Sequence, residues 1–249
     1  MRNQDLIENI NIKKAKLDSL QPLSPDFTKN FYEWVKIELT YTSNAIEGNT
    51  LSRAETARIV EKGITVEGKS LQEHQEAINH AEAFNWLLAK RDLSQKDITL
   101  DFILELHKKI LQKIDDSNAG RLRAIPVRIA GSTVILPNPT KVSTLMEEFI
   151  NWVQNAEGHP VNIAIETHLK LVSIHPFVDE NGKTARLLMN FLLIINGFPP
   201  TIIQKEKRHE YISGIEKAQL EGTTNDYYKF MYESVENSLD TYLEGLEDN

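Results

Sequence analysis

The run His175-Pro-Phe-Val-Asp-Glu-Asn-Gly-Lys-Thr-Ala-Arg186 puts one imidazole, two carboxylates, an amide, a glycine and two cations into twelve residues. An apolar run follows at once, Leu187 to Ile195, interrupted by Asn190. A polar loop that opens a buried helix is an anion site. The first backbone N–H groups of a helix lack intrahelical partners, and its dipole favours negative charge there. A base, a hard oxygen ligand and two cations beside such a site point to a nucleoside polyphosphate. Read singly, the same residues are ordinary: His175 could end a helix, and Asp, Asn and Gly form turns.

The surrounding elements read mostly as helix. Apolar residues at helical spacing predict helices over 4–20 and 27–46, separated by Pro22 and Pro25. Glu47-Gly48 stops the second, and Ser52 with Glu55 three positions on is a capping box that starts another. Further helices are predicted at 71–90, at 98–114 with a start signalled by Ser94 or Asp97, and at 141–156, 161–174, 183–196, 205–220 and 225–245. Trp34, Trp86 and Trp152 fall on apolar faces and read as core. Between Gly120 and Pro139 the period changes to two: Ile125, Val127 and Ile129 alternate with Pro126, Arg128 and Ala130. Gly131-Ser132 and the Thr133-Val134-Ile135 run then complete a predicted two-strand hairpin. A lone hairpin is marginal, so it must lie against the helical body.

The His175–Arg186 run resembles the signature of Fic-domain proteins, His-Pro-Phe-x-Asp/Glu-Gly-Asn-Gly-Arg/Lys-x-x-Arg. The match is carried by His175, Pro176, Phe177, Asp179, Asn181, Gly182, Lys183 and Arg186, with the hairpin some forty residues upstream. The resemblance covers roughly 97–235. It implies an all-α Fic-type bundle with one β-hairpin flap beside the active-site loop. An N-terminal helical region, 1–96, would precede a catalytic core over 97–249, the two forming one compact unit.

The implied activity is transfer of AMP from ATP to a Ser, Thr or Tyr hydroxyl of a target protein. His175 would be the general base, suited by an ordinary pKa near 6.5. Asp179 would hold Mg²⁺ against the phosphates. Asn181 and the backbone of Glu180, Asn181, Gly182 and Lys183 would cradle the α-phosphate. Lys183 would meet the β-phosphate and Arg186 the terminal one. Phe177 should point into the core. Tyr211 and Gln219 resemble residues that contact the nucleoside, by stacking on the base and bonding the sugar. The flap residues Val127, Ile129, Gly131, Val134 and Ile135 would dock an extended target segment by strand addition.

A second element, Ser43-Asn-Ala-Ile-Glu47-Gly48, resembles the family's inhibitory pattern Ser/Thr-x-x-x-Glu-Gly/Asn. The resemblance implies that Glu47 pairs with Arg186 and competes with the ATP γ-phosphate for that guanidinium. The same glutamate could orient a water for the reverse reaction, removal of AMP. One position departs from the signature. Glu180 stands where the family has glycine, and would cost about 1–2 kcal/mol if that position lies at positive φ. Its side chain would swing to solvent, join Asp179 at the metal, or weaken ATP binding. Lys183 is the less common choice where arginine dominates, a point charge in place of a fork.

Composition limits the rivals. A net charge of −8 argues against sequence-independent nucleic-acid binding, which needs a basic surface. With no cysteine there is no disulfide, thiolate metal site or cysteine nucleophile. No apolar run has membrane-spanning length, and the first sixteen residues lack a signal-peptide core, so a soluble, cytoplasmic protein is expected. His168, seven residues before His175, suggests a His–His–Asp metal site only faintly, since no HxxH spacing is present. The expected partners are a nucleotide and a protein substrate, with a homodimer that regulates the inhibitory helix compatible with the resemblance. The alternatives are the same scaffold with another nucleotide, a phosphocholine or a phosphate as donor, and a non-catalytic nucleotide-binding module.

Overall fold

The computed structural model describes residues 3–247. Ten α-helices account for most of them: α1 Asn3–Ser19, α2 Pro25–Ile46, α3 Arg53–Lys62, α4 Leu71–Leu88, α5 Leu100–Leu111, α6 Pro139–Asn155, α7 Pro160–Ile174, α8 Asn181–Ile195, α9 Arg208–Glu221 and α10 Asn225–Glu247. Their ends follow local chemistry. Ser24 accepts from the Phe27 N–H ahead of Pro25 and starts α2. Ser52/Glu55 and Ser70/Glu73 form full capping boxes for α3 and α4, and Gly63 at φ 62° ends α3. The start of α5 is later than Ser94 or Asp97. Those two residues close a single 3₁₀ turn, and Thr99 caps the helix by accepting from the Phe102 N–H.

At the centre lies α8, buried along nearly its whole length from Asn181 to Ile194. A helix apolar all round must be enclosed. It packs most extensively on α7, and also on α5, α4 and α2, while α1 lies along α10. Residues from both ends of the chain share one hydrophobic cluster, among them Leu6, Val35, Ile46, Phe102, Phe177, Leu188 and Met231. Helices α1, α2 and α4 therefore belong to the same core as the 175–186 loop, while Ile59 of α3 packs with Leu51 and Ala77 in a smaller cluster. No helix among the described residues is long and apolar enough to cross a membrane.

The predicted β-hairpin is corrected. Among the described residues there is no strand, and 121–138 is an irregular loop folded back on itself. A turn at Ala130-Gly131, with Gly131 at φ 77° and the Ser132 N–H on Ile129 O at 3.2 Å, reverses the chain. Val127, Ile129 and Val134 are half-buried, while Gly131 and Ile135 are exposed. The alternation thus describes which side chains face the body, but the two arms do not pair. Pro126 supplies no N–H to a ladder, and a two-stranded ribbon is marginal without one. The Arg123 guanidinium joins the arms instead, donating to Ile125 O at 3.3 Å and Pro137 O at 2.7 Å.

Candidate active site

The loop between α7 and α8 is made by two helix ends in left-handed backbone. α7 stops because His175 takes φ 52° and its N–H returns to Leu171 O at 2.9 Å; Pro176 then cannot continue the helix. α8 begins after Glu180 at φ 60°. Non-glycine residues rarely hold such angles, which persist where surroundings over-determine them. Here the surroundings are dense. Phe177 is fully buried, as expected. Its N–H donates to Asn181 Oδ1 at 2.9 Å, and Asn181 Nδ2 donates back to Phe177 O at 3.0 Å. The Asn181 amide is thus spent on the loop, and what it offers a phosphate is its backbone N–H.

His107, which the sequence reading did not single out, stacks on Phe177 with ring centroids 3.7 Å apart. Its Nδ1 accepts from the Gly120 N–H at 3.0 Å, so Nε2 donates to Asp179 O at 3.2 Å. Burial lowers its pKa to about 4, keeping the ring neutral for this role. Arg123 is the second unforeseen tie. Only 3% exposed, it donates through Nε to His175 O at 2.7 Å and through its backbone N–H to Pro176 O at 2.9 Å, besides joining the flap arms. Sequence gave little signal for either: a histidine and an arginine amid apolar neighbours. Arg123→Ala is expected to leave several buried carbonyls unpartnered and cost about 2–4 kcal/mol in urea denaturation. A stability unchanged within error would remove the residue from this role.

His175 itself is half-buried, with Nδ1 3.4 Å from Val172 O. Donation from Nδ1 leaves the Nε2 lone pair able to accept a proton. Burial outweighs the Val172 O contact and lowers the His175 pKa, and the Arg123 charge adds to that, which favours the neutral ring. Asp179 is exposed at the loop's edge, one oxygen accepting the Glu180 N–H at 2.7 Å. No group of three or more His, Asp or Glu suited to a metal occurs among the described residues. One exposed carboxylate beside an anion site does fit Mg²⁺, which binds through one or two carboxylates plus substrate phosphates.

Both cations of the run are buried and paired. Arg186 Nη2 meets Glu47 Oε1 at 2.8 Å and Ser43 O at 3.1 Å, and Nε donates to Ser43 Oγ at 2.9 Å. Ser43 and Glu47 lie four apart on one face at the end of α2, so both reach one guanidinium. Desolvation works to raise the Glu47 pKa. Arg186, with Lys183 and Arg208 behind it, outweighs that and holds the carboxyl below its usual range. Arg208 Nε also donates to Ile46 O at 2.6 Å and fixes the C-terminus of α2. A Cβ on Gly182 would lie 2.3 Å from Glu47 Oε1, so glycine there makes room for an anion over the first turn of α8. Gly48, at φ 100°, lets the chain leave α2 directly after Glu47.

Glu180 does not swing to solvent. Its carboxylate turns back to Lys183, Oε1 to Nζ 2.9 Å, with Glu76 Oε2 3.8 Å away on α4. Burial pushes its pKa up to about 7 against the pull of Lys183. Lys183 is 1% exposed.

Tyr211 is also 1% exposed, which leaves no ring face for a base. Its hydroxyl lies 3.4 Å from Arg186 Nη1 and 2.7 Å from His168 Nε2; His168 Nδ1 lies 2.7 Å from the Tyr227 hydroxyl, which in turn donates to Ile165 O at 3.0 Å. Burial, then the Arg186 charge, lowers the His168 pKa to about 3. A neutral ring with its proton on Nδ1 makes the chain run one way, from Arg186 to Ile165 O. His168 is therefore a buried hydrogen-bond partner and not a metal ligand. Tyr211→Phe is expected to strand His168 Nε2, lowering stability by about 1–3 kcal/mol and loosening Arg186. A stacking role would survive that change. Thermal melts together with ATP titration separate the two. Gln219 is half-buried and reaches Val172 O at 3.4 Å and Ser173 Oγ at 3.3 Å, behind His175.

Together, fold and site define a helical domain whose loop-and-helix anion site is closed by a carboxylate from a neighbouring helix. The chain belongs to the Fic/DOC family. The family model matches residues 97–193. A form of the Fic-1 fragment from C. elegans superposes with a TM-score of 0.85 at 30% identity, over 97% of this chain and 72% of that one. A Fic domain containing signaling protein from Bacteroides thetaiotaomicron gives 0.87 at 27% identity over 97% of each chain. Among curated relatives, the protein adenylyltransferase Fic of Culex quinquefasciatus is 38% identical over 245 residues, 97% of this chain and 48% of that protein. The protein of the same name from Drosophila melanogaster is 41% identical over 212 residues, 84% and 42% respectively. The chain spans about half the length of these curated relatives.

Proposed function

We propose that this chain transfers AMP from ATP to a hydroxyl of a protein and is held in check by Glu47. The observation that carries the reading is that its anion site is built and already holds an internal anion, the Glu47 carboxylate on Arg186 above Gly182. A γ-phosphate carries the same charge and suits the same guanidinium.

In the reaction, the target hydroxyl oxygen attacks the α-phosphorus while its proton passes to His175 Nε2. The bond from the α-phosphorus to the α,β-bridging oxygen breaks, and that oxygen leaves as part of pyrophosphate. The fixed backbone N–H groups that open α8 face the charge that grows on the α-phosphoryl oxygens. Asp179 would hold Mg²⁺, which supplies charge neutralisation on the phosphates. The half-buried face of the 121–138 loop, Val127, Ile129 and Val134, would receive an extended target segment. Its unpaired backbone offers hydrogen bonds of the strand-addition kind. The cysteine-free composition suits the cytoplasm as the place of action.

The test is intact mass of Glu47→Gly after incubation with ATP and Mg²⁺, with pyrophosphate release read in parallel. An added AMP with stoichiometric pyrophosphate is expected. Neither product, from a variant shown to bind ATP, would sink the transferase reading in favour of a nucleotide-binding module.

A further inference from the structure

The two cations of the phosphate site each carry their own carboxylate, and the two carboxylates come from different places. Glu47 arrives from α2 and takes Arg186 at 2.8 Å. Glu180 stands directly before α8 itself and takes Lys183 at 2.9 Å. We propose that Glu180 is a second internal anion, filling the Lys183 subsite as Glu47 fills that of Arg186, and so sets this chain's affinity for the β-phosphate of its nucleotide. The inference rests on the function proposed above.

Glu180 and Lys183 are also the two positions where the chain leaves the commonest form of the signature. The structure shows that these departures pair with each other. At φ 60° and ψ 20° the Glu180 backbone directs its side chain over the first turn of α8, and the partner it meets there is three residues on. Glu180 is 7% exposed at its side chain, and Oε2 is buried with no hydrogen-bond partner. One contact thus holds the carboxylate, and a second acceptor oxygen stays unsatisfied beside the site. A buried, half-satisfied acid is a poor structural element. It is a reasonable stand-in for a group that will replace it.

Charge balance points the same way. Lys183 has two carboxylates within 4 Å, Glu180 and Glu76, and Arg186 has Glu47. Removing Glu47 frees Arg186 alone. Lys183 would still face an incoming β-phosphate with a carboxylate on its ammonium, and like charges brought together weaken binding.

The experiment is calorimetric titration of ATP, ADP and AMP into Glu47→Gly and into the same variant carrying Glu180→Gln or Glu180→Gly. Glutamine keeps the shape and removes the charge. Glycine relieves the left-handed backbone and guards against misfolding, which thermal melts would register. Either change is expected to tighten ATP and ADP about tenfold while AMP, which lacks the β-phosphate, moves less than about twofold. Equal shifts for all three nucleotides, or unchanged or weaker ATP and ADP binding, would overturn the proposal. These outcomes stay separable from a failure of the transferase reading. That failure shows as ATP binding by Glu47→Gly without AMP transfer, whereas the Glu180 comparison reads binding alone.

Discussion

Replacing Glu47 by glycine is expected to raise the rate of AMP transfer by roughly 10–100-fold. The carboxylate occupies Arg186 at 2.8 Å and sits where a phosphate oxygen would stand above Gly182. A hydrogen bond between charged partners contributes about 1.5–3 kcal/mol, and each 1.4 kcal/mol is a factor of ten in an equilibrium. The lower part of that energy range applies, because the Glu47 side chain is 42% exposed and water screens the pair. Ser43 remains on Arg186 in the variant, through both its hydroxyl and its carbonyl. The guanidinium therefore keeps its position and loses only its competitor. Glycine also suits the end of α2, where Gly48 already turns the chain. Incorporation of labelled AMP, compared between wild type and variant at saturating ATP and again well below saturation, checks this. The gain should be larger at low ATP if the carboxylate and the nucleotide compete as proposed. A rate equal to or below wild type at both concentrations would remove Glu47 as an inhibitor.

Much of the fold could be read from the sequence because helix ends carry their own chemistry. Ser52 with Glu55, the break at Pro22 and Pro25, and the stop at Glu47-Gly48 mark boundaries that the structure reproduces within a residue or two. Where two capping candidates compete in a short stretch, sequence alone chooses wrongly. Asp97 and Ser94 bond to each other, and Thr99 starts α5. The flap shows a different limit. A period of two reports which side chains face the body, and Val127 and Ile129 do. Whether two arms exchange backbone hydrogen bonds depends on what else satisfies them, and here Arg123 does so from outside the alternating pattern.

The site divides along similar lines. Residues in short contiguous motifs were legible through the resemblance those motifs carry: Ser43 with Glu47, and the loop from His175 to Arg186. Residues whose roles depend on tertiary neighbours were not. Tyr211 looks like a stacking residue in sequence, yet burial turns its hydroxyl into a link between Arg186 and His168. His107 and Arg123 are each over fifty residues from the loop they hold. Asn181 spends its amide on Phe177 and not outward. Glu180 was ambiguous in sequence between solvent, the metal beside Asp179 and a weakening of ATP binding, because its partner, Lys183, is fixed only by the fold.

In the Glu47→Gly background, His175→Ala is expected to reduce AMP transfer by about 10²–10⁴-fold, the range for loss of a positioned general base. The residue is fixed from three directions: its N–H on Leu171 O, its carbonyl on Arg123, and Nδ1 against Val172 O. That leaves Nε2 as the proton acceptor with its direction set by backbone. The pH profile carries a second, independent signature. A base works when neutral, so the rate falls as pH drops through its pKa. Burial, then Arg123, lowers that pKa, whereas the Val172 O contact, then Glu47 and Asp179, act to raise it. Removing Glu47 takes away one raising influence. The acid limb of kcat/KM in Glu47→Gly should therefore lie below the ordinary histidine value of about 6.5. The limb should vanish, together with most of the rate, in His175→Ala. ATP binding should persist in that variant, because the cations and the first turn of α8 do not depend on the imidazole. A residual rate near that of the parent, with the acid limb intact, would mean that some other group takes the proton.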